Sequence, residues 1–176
     1  LAIDALDIDT NCYAFLQAKF ANEPRVKVIN KDAVTYLSEK PYDVIVSSFA
    51  HDHISYERRF DFARNILRNT SSGGVYIMGN ELLPSFETEE ERKEALRQYH
   101  GFIIWKAVLD GHEELASLEL EALNSGLHKI GDFKRHTSML EDEMERVGFI
   151  TTTKNKIGPL DRDNVGGVYV YTFKKN

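Results

Sequence analysis

Cysteine is almost absent from the 176 residues: Cys12 is the only one. A lone cysteine excludes any intrachain disulfide and any multi-cysteine metal site, and it points to a reducing cytoplasmic setting. No apolar run is long enough to span a bilayer, and the opening Leu1-Ala2-Ile3-Asp4 lacks the basic n-region of a signal peptide. No block of Lys or Arg stands out, and the formal net charge is −6. That balance argues against a nucleic-acid phosphate backbone as the main partner, since such partners select a basic face. What the chain does have is 42% apolar and 28% charged residues, enough for a packed core and too apolar for disorder. The length suits one domain, residues 1–176.

The pattern of elements is an alternation. Leu1 to Leu6 is short and apolar, closed by Asp7, and predicts a buried strand. Thr10 is placed to cap a helix to about Asn22, with Cys12, Phe15, Leu16 and Phe20 near one face. Val26 to Ile29 predicts a strand. Asp32 then opens a short helix through Val34, Tyr36 and Leu37, stopped by Pro41. Val44-Ile45-Val46 has the continuous apolar character of a strand covered on both faces. Ser55 to Asn69 predicts an amphipathic helix with Phe60, Ala63, Ile66 and Leu67 inward, and Ser71 to Gly74 predicts a turn into the strand Val75–Met78. Strands alternating with helices imply a parallel α/β sheet.

The pattern then changes. Residues from about 85 to 130 predict a helical insertion, broken near Gly111. A further helix starts at a capping box, Ser138 to Glu141, with Leu140, Met144 and Val147 inward, and ends at Gly148. Phe149–Thr153 and Val168–Phe173 then predict an antiparallel hairpin, with Val168–Phe173 lying beside Val75–Met78.

A parallel sheet that finishes with a helix and an antiparallel hairpin resembles the class I S-adenosylmethionine-dependent methyltransferase fold, a Rossmann-like sheet. Local sequences carry the same resemblance. Ala5-Leu6-Asp7-Ile8-Asp9 is similar to that family's second-strand motif, whose terminal acid binds the cofactor ribose. Asn30-Lys31-Asp32-Ala33 is similar to the loop after the third strand, which meets adenine. Tyr42 to Ala50 is similar to the fourth-strand motif, which ends beside the methyl donor, and Ser72 to Ile77 resembles the turn into the fifth strand. Gly148-Phe149 resembles the break before the sixth.

The resemblance implies S-adenosylmethionine as cofactor, held by Asp7, Ile8, Asp32, Ala33, Ser47 and Ser48, with Asp9 as the alternative to Asp7. From the residues themselves, Asp9 sits at the mouth of the following helix and suits a cap, as does Asp32 for the turn after it. The family's first strand and glycine-rich loop have no counterpart. That marks the sequence as apparently N-terminally truncated, with both supplied upstream in the parent protein. Without them the chain is expected to bind the cofactor poorly, and to rearrange or to associate as a homo-oligomer.

His51-Asp52-His53 follows the fourth strand at the carboxyl edge, where ligands bind in open α/β sheets. His51 is the candidate catalytic base or substrate contact. No third ligand accompanies the pair, so no metal site is expected. The insertion holds Tyr99, His100, Phe102, Trp105 and His112, which can roof an apolar pocket or simply pack. The acidic balance and this aromatic insertion favour a small-molecule acceptor. No Asn-Pro-Pro-Tyr motif follows the fourth strand. Two other readings are open: a nicotinamide-dependent oxidoreductase, which also ends its second strand in a ribose-binding acid, and a non-catalytic methyltransferase-like scaffold. The type of glycine loop upstream separates the three.

Overall fold

The computed structural model describes residues 1–175. Seven strands and five helices follow in the order β1 (Ile3–Asp7), α1 (Thr10–Lys19), β2 (Val26–Asn30), β3 (Tyr42–Ser48), α2 (Arg59–Asn69), β4 (Thr70–Leu83), α3 (Glu89–Leu109), α4 (Glu113–His128), β5 (Arg135–His136), α5 (Thr137–Val147), β6 (Phe149–Gly158) and β7 (Gly167–Lys175). Two short 3-10 turns, His51–His53 and Tyr56–Arg58, link β3 to α2. No described helix is long and apolar enough to cross a membrane.

The sheet is in two pieces. β1 and β2 pair in parallel, and β3, β4, β7 and β6 form the larger piece in that order, with β5 added to β4. β3 runs parallel to β4, while β7 is antiparallel to both β4 and β6. The predicted hairpin is therefore present: Met78 faces Tyr171 on one side of β7, and Thr151 faces Phe173 on the other.

One face of the larger sheet is packed. Along β4 the residues alternate, and Tyr76, Met78 and Leu82 are completely buried. They meet Phe62, Ala63 and Ile66 of α2, Leu140 and Met144 of α5, and Phe149, Tyr171 and Phe173 of the hairpin. Tyr171 and Phe173 stack at 5.3 Å with their rings nearly parallel. The insertion forms a second cluster around Leu83, Ala95, Leu96 and Tyr99. Gly111, at φ +76°, turns the chain between α3 and α4, a conformation that costs glycine little.

Several boundaries differ from the sequence reading. The first strand is Ile3–Asp7 rather than Leu1–Leu6. α1 stops at Lys19, and its cap is Asp9, whose carboxylate accepts from the Asn11 and Cys12 amides at 2.7 and 2.9 Å. The short helix after Asp32 is a single turn. The Ala33 and Tyr36 carbonyls, which a helix would have used, accept instead from the Asn65 and Asn69 side-chain amides of α2. In α2 the buried aromatic is Phe62, and Phe60 is half-buried between Arg59 and Arg146. α2 begins at Arg59, because the stretch before it winds as the tighter 3-10 turn. The strand expected at Val75–Met78 spans Thr70–Leu83, because partners exist along both its edges. His136, not Ser138, caps α5, accepting from the Met139 amide at 3.3 Å. The final strands also run longer than Phe149–Thr153 and Val168–Phe173, since their mutual pairing continues from Phe149↔Lys175 to Gly158↔Val168.

The largest departure is at β3. Val44 and Val46 are 52% and 67% exposed, so the strand expected to be covered on both faces is covered on one. Nothing among the described residues packs on that second face. β1 and β3 are also unpaired with each other, leaving each with a free edge. A hydrogen bond from the Tyr42 hydroxyl to Asp4 Oδ2, 2.5 Å, bridges the gap.

Buried polar contacts hold the carboxyl edge together. Arg135, wholly buried, donates through one guanidinium nitrogen to the carbonyls of His51, Ile54 and Phe133 at 2.7–2.8 Å, and pairs with buried Glu143 at 3.3 Å. Next to it, Lys134 contacts Asp132 at 2.7 Å, Glu81 at 3.1 Å and Asp52 at 3.8 Å. Burial alone would depress the lysine, but these carboxylates overcome it and raise its pKa. Burial pushes Asp52 up to about 6, against the opposing pull of Lys134.

Two outcomes follow from this architecture. In a parallel strand the backbone groups of successive residues point to opposite edges. Ile3 and Asp7 bond towards β2, and Phe49 bonds towards β4. The amides of Asp4, Leu6, Val44, Val46 and Ser48 therefore face the gap. In dilute solution they are expected to exchange hydrogen much faster than those of Tyr76, Met78, Tyr171 and Phe173; equal protection would show the gap closed.

The second outcome concerns Asp52, whose folded-state pKa of about 6 lies above its ordinary 3.8. The folded state binds the proton more tightly, so this group's contribution to stability falls as pH rises from about 4 through about 6. Asp52→Asn is expected to flatten that slope and to be no less stable than wild type at pH 8. Urea unfolding at several pH values measures both, and an unchanged slope would remove Asp52 from the account.

Candidate functional site

β1 and β3 along their whole lengths, with Leu1 and Ala2 before β1 and the loop after β2, surround a cavity of about 620 Å³. Its lining includes Asp4, Leu6 and Asp7 from β1, Ala33 and Tyr36 from the loop, and Ile45, Ser47 and Ser48 from β3, with Phe62 and Ile66 of α2 at its base. The cavity exists because β1 and β3 splay where no strand joins them. Its upper end lies where strands deliver their carboxyl-terminal residues, the position at which open α/β sheets bind ligands.

Four of the six residues proposed from the sequence for cofactor binding line this one cavity: Asp7, Ala33, Ser47 and Ser48. Asp7 uses one carboxylate oxygen to accept from the Asp9 amide at 2.8 Å. Among the described residues its other oxygen has no partner, which leaves an acceptor at the cavity. The strand end is fixed by Asn30, whose side-chain amide donates to the Asp7 and Ile8 carbonyls at 3.0 Å each. Asp9 lies in the cap of α1, so it is spoken for.

Ile8 and Asp32 do not line the cavity. Ile8 is 65% exposed. Both Asp32 oxygens are engaged, one accepting from the Val34 amide at 2.8 Å and the other from Arg58 at 2.7 Å. Partial burial raises this carboxyl, but the bonds from Arg58 and Val34 outweigh burial and hold it below the usual range. Asp32 therefore shapes the loop that presents Ala33.

His51 is buried behind the cavity wall and does not line it. Burial, helped by the Arg135 charge, lowers its pKa to about 3, so the ring is neutral. It packs edge-on against Phe62 at 4.8 Å, and Nδ1 lies 3.3 Å from the Tyr76 hydroxyl. That hydroxyl lies 2.6 Å from Ser47 Oγ. His53 is exposed and joins Gly131 through Nδ1 at 2.7 Å. Among the described residues no group of three or more candidate metal ligands occurs.

The aromatic residues of the insertion separate into two sets. Tyr99 and His100 are buried, and His100 Nδ1 meets Glu119 of α4 at 2.8 Å, so they hold the helical hairpin together. Trp105 is 51% exposed and its ring lies tilted against Phe102 with centroids 6.0 Å apart. The sequence reading missed Tyr76 as a neighbour of the site, along with Lys134 and Asp132 in the buried charge cluster. Tyr76 sits in a strand run, and its partners lie more than twenty residues away, so no local signal marks it.

No protein-family model matches the sequence, and comparison with curated proteins found no match. Solved structures do match. The cyclopropane synthase MmaA2 from Mycobacterium tuberculosis superposes with a TM-score of 0.67 at 17% identity, over 99% of this chain and 70% of that one. N-methyltransferase NodS from Bradyrhizobium japonicum WM9, in complex with S-adenosyl-L-homocysteine, gives 0.63 at 6% identity, over 99% and 66%. PigF with S-adenosylhomocysteine gives 0.62 at 17% identity, over 100% and 49%. The chain thus spans from about half to about 70% of the length of these structures. Nearly all of it superposes on them, hairpin included, and it has the Rossmann-like fold of the class I S-adenosylmethionine-dependent methyltransferases.

Proposed function

We propose that the full-length protein transfers a methyl group from S-adenosylmethionine to a small-molecule acceptor. The observation that carries this reading is the carboxyl end of the cavity, beyond the slot between β1 and β3. It gathers Asp7, Ala33, Ser47 and Ser48, from two strand ends and the loop after β2, around one space. The solved neighbours include an N-methyltransferase and structures with the demethylated product bound. The antiparallel β7 between β4 and β6 weighs against the nicotinamide-dependent alternative. The acidic balance supports a small-molecule acceptor, and the unpaired, exposed Cys12 agrees with a cytoplasmic location.

The residues present fit the nucleoside half of the cofactor. In this reading the free Asp7 oxygen would accept from ribose hydroxyls, and the backbone at Ala33 would meet the adenine edge. On the same reading Ser47 and Ser48 would line the wall nearer the sulfonium. The cofactor supplies a methyl group on a positively charged sulfur, open to in-line attack. The chain's task is to hold donor and acceptor in line and to keep water out. His51, being neutral and buried, acts in this scheme behind the wall and not on the acceptor.

The amino-acid end of the cofactor has no cradle among the described residues. The gap between β1 and β3 has two free edges, and the uncovered Val44 and Val46 lie beside it. These features match one missing strand and a covering segment, supplied upstream in the parent protein. The 176-residue chain alone is expected to bind S-adenosylhomocysteine much more weakly than the full-length protein and to associate with itself as concentration rises, since free edges recruit strands. Sedimentation and calorimetric titration test both; a compact monomer with full affinity would overturn this assignment of the gap.

In the full-length protein Asp7→Ala is expected to cost about 2–4 kcal/mol of cofactor affinity, through two lost hydrogen bonds to a charged acceptor. Calorimetry showing unchanged affinity would reject Asp7 as the ribose ligand.

A further inference from the structure

Ser47 ends at the cavity, and behind it runs a chain of polar groups that a strand interior does not require. Its Oγ lies 2.6 Å from the Tyr76 hydroxyl, which lies 3.3 Å from His51 Nδ1. Tyr76 is completely buried and His51 nearly so. The three residues come from neighbouring strands and the turn after β3, so the chain is built by tertiary structure. Each buried polar group would cost stability if unmatched. A phenylalanine at position 76 would fill the same stacked aromatic core beside Phe149 and Phe173.

The direction of this chain can be worked out. The imidazole is neutral, so it carries one hydrogen. Among the described residues Nε2 is buried without any hydrogen-bond partner. An N–H stranded there would be costlier than an unused lone pair, because orphaned buried donors are rarer than under-used acceptors. The hydrogen therefore sits on Nδ1 and is donated to the Tyr76 oxygen. The Tyr76 hydrogen is then free for Ser47 Oγ. That leaves the Ser47 hydrogen unclaimed by the chain, with the cavity in front of it.

We propose that Tyr76 and His51 are positioning residues that aim the Ser47 hydroxyl into the cavity as a hydrogen-bond donor, so that it selects an oxygen or nitrogen acceptor on the bound nucleoside cofactor. This rests on the methyltransferase reading for the identity of the ligand, but the orientation of the chain stands apart from it. Ser47 touches the ligand, whereas Tyr76 and His51 act only through Ser47. An inverted chain, with the hydrogen on Nε2, would turn Ser47 into a pure acceptor and favour a donor group in its place.

Two measurements test this. The first needs no ligand: nitrogen-15 NMR of the protein labelled at histidine. His51 is expected as the Nδ1–H tautomer and unprotonated from pH 8 down to pH 5. An Nε2–H tautomer would overturn the proposal. The second is calorimetric titration of S-adenosylhomocysteine into the full-length protein. Ser47→Ala is expected to weaken binding by about tenfold and Tyr76→Phe by about fivefold, the scale of one hydrogen bond. The double variant should bind like Ser47→Ala alone, because Tyr76 acts through Ser47. A Tyr76→Phe effect that persists in full on the Ser47→Ala background would overturn the proposal, since a merely structural role for Tyr76 predicts that additivity. Failure of the wild-type protein to bind would overturn the cofactor reading, and the tautomer would still decide the orientation. If Tyr76→Phe does not fold, the wild-type tautomer and Ser47→Ala carry the decision.

Discussion

The carboxyl edge of this sheet is organised around one guanidinium. Arg135 gathers three carbonyls from two loops that are eighty residues apart in sequence (His51 and Ile54 on one side, Phe133 on the other) and neutralises its charge on Glu143 of α5. The turn after β3, the exit of the helical insertion and the last helix thus share one buried centre. Tyr56 lies 5.4 Å from the guanidinium and completes its enclosure. Removing one member of such a pair leaves an uncompensated buried charge, which typically costs about 3–5 kcal/mol. The position of His51, and through it the wall of the cavity, is inherited from this centre.

Much of the architecture was legible in the sequence because it is local. Periodicity and turn chemistry marked the alternating strands and helices, the break at Gly111, the stop at Gly148 and the terminal hairpin. What failed to read was decided at a distance. The turn after Asp32 is a turn because Asn65 and Asn69, thirty residues on, take the carbonyls a helix would need. Phe62 rather than Phe60 faces inward because α2 docks on Tyr76 and Met78, and the helical pattern alone allowed either. Val44 and Val46 read as doubly covered, yet both are exposed, because a short apolar run does not report whether a second layer lies on the strand.

The site divides along the same line. Asp7, Ser47 and Ser48 belong to strand ends and Ala33 to the loop after β2, and motif order was enough to group these four along one cavity. His51 carried the right residue type at the right edge, yet its side chain turned inward, because Arg135 fixes its backbone and Phe62 receives its ring. Tyr76 and Lys134 gave no warning. Their significance comes from partners on other elements, and single-residue chemistry does not report such neighbours.

The antiparallel strand in the middle of the larger sheet also bears on how the chain reaches this state. β7 pairs with β4 across roughly ninety residues of chain, a separation whose loop-closure entropy slows the search for the native pairing. Until β7 arrives, β4 keeps an open edge and Tyr76, Met78 and Leu82 lack their aromatic cover. During synthesis that edge waits for the insertion and α5 to be made first. The sheet's closing step therefore comes late in the order of synthesis, and the interval before it is when the chain is most exposed to pairing with the wrong neighbour.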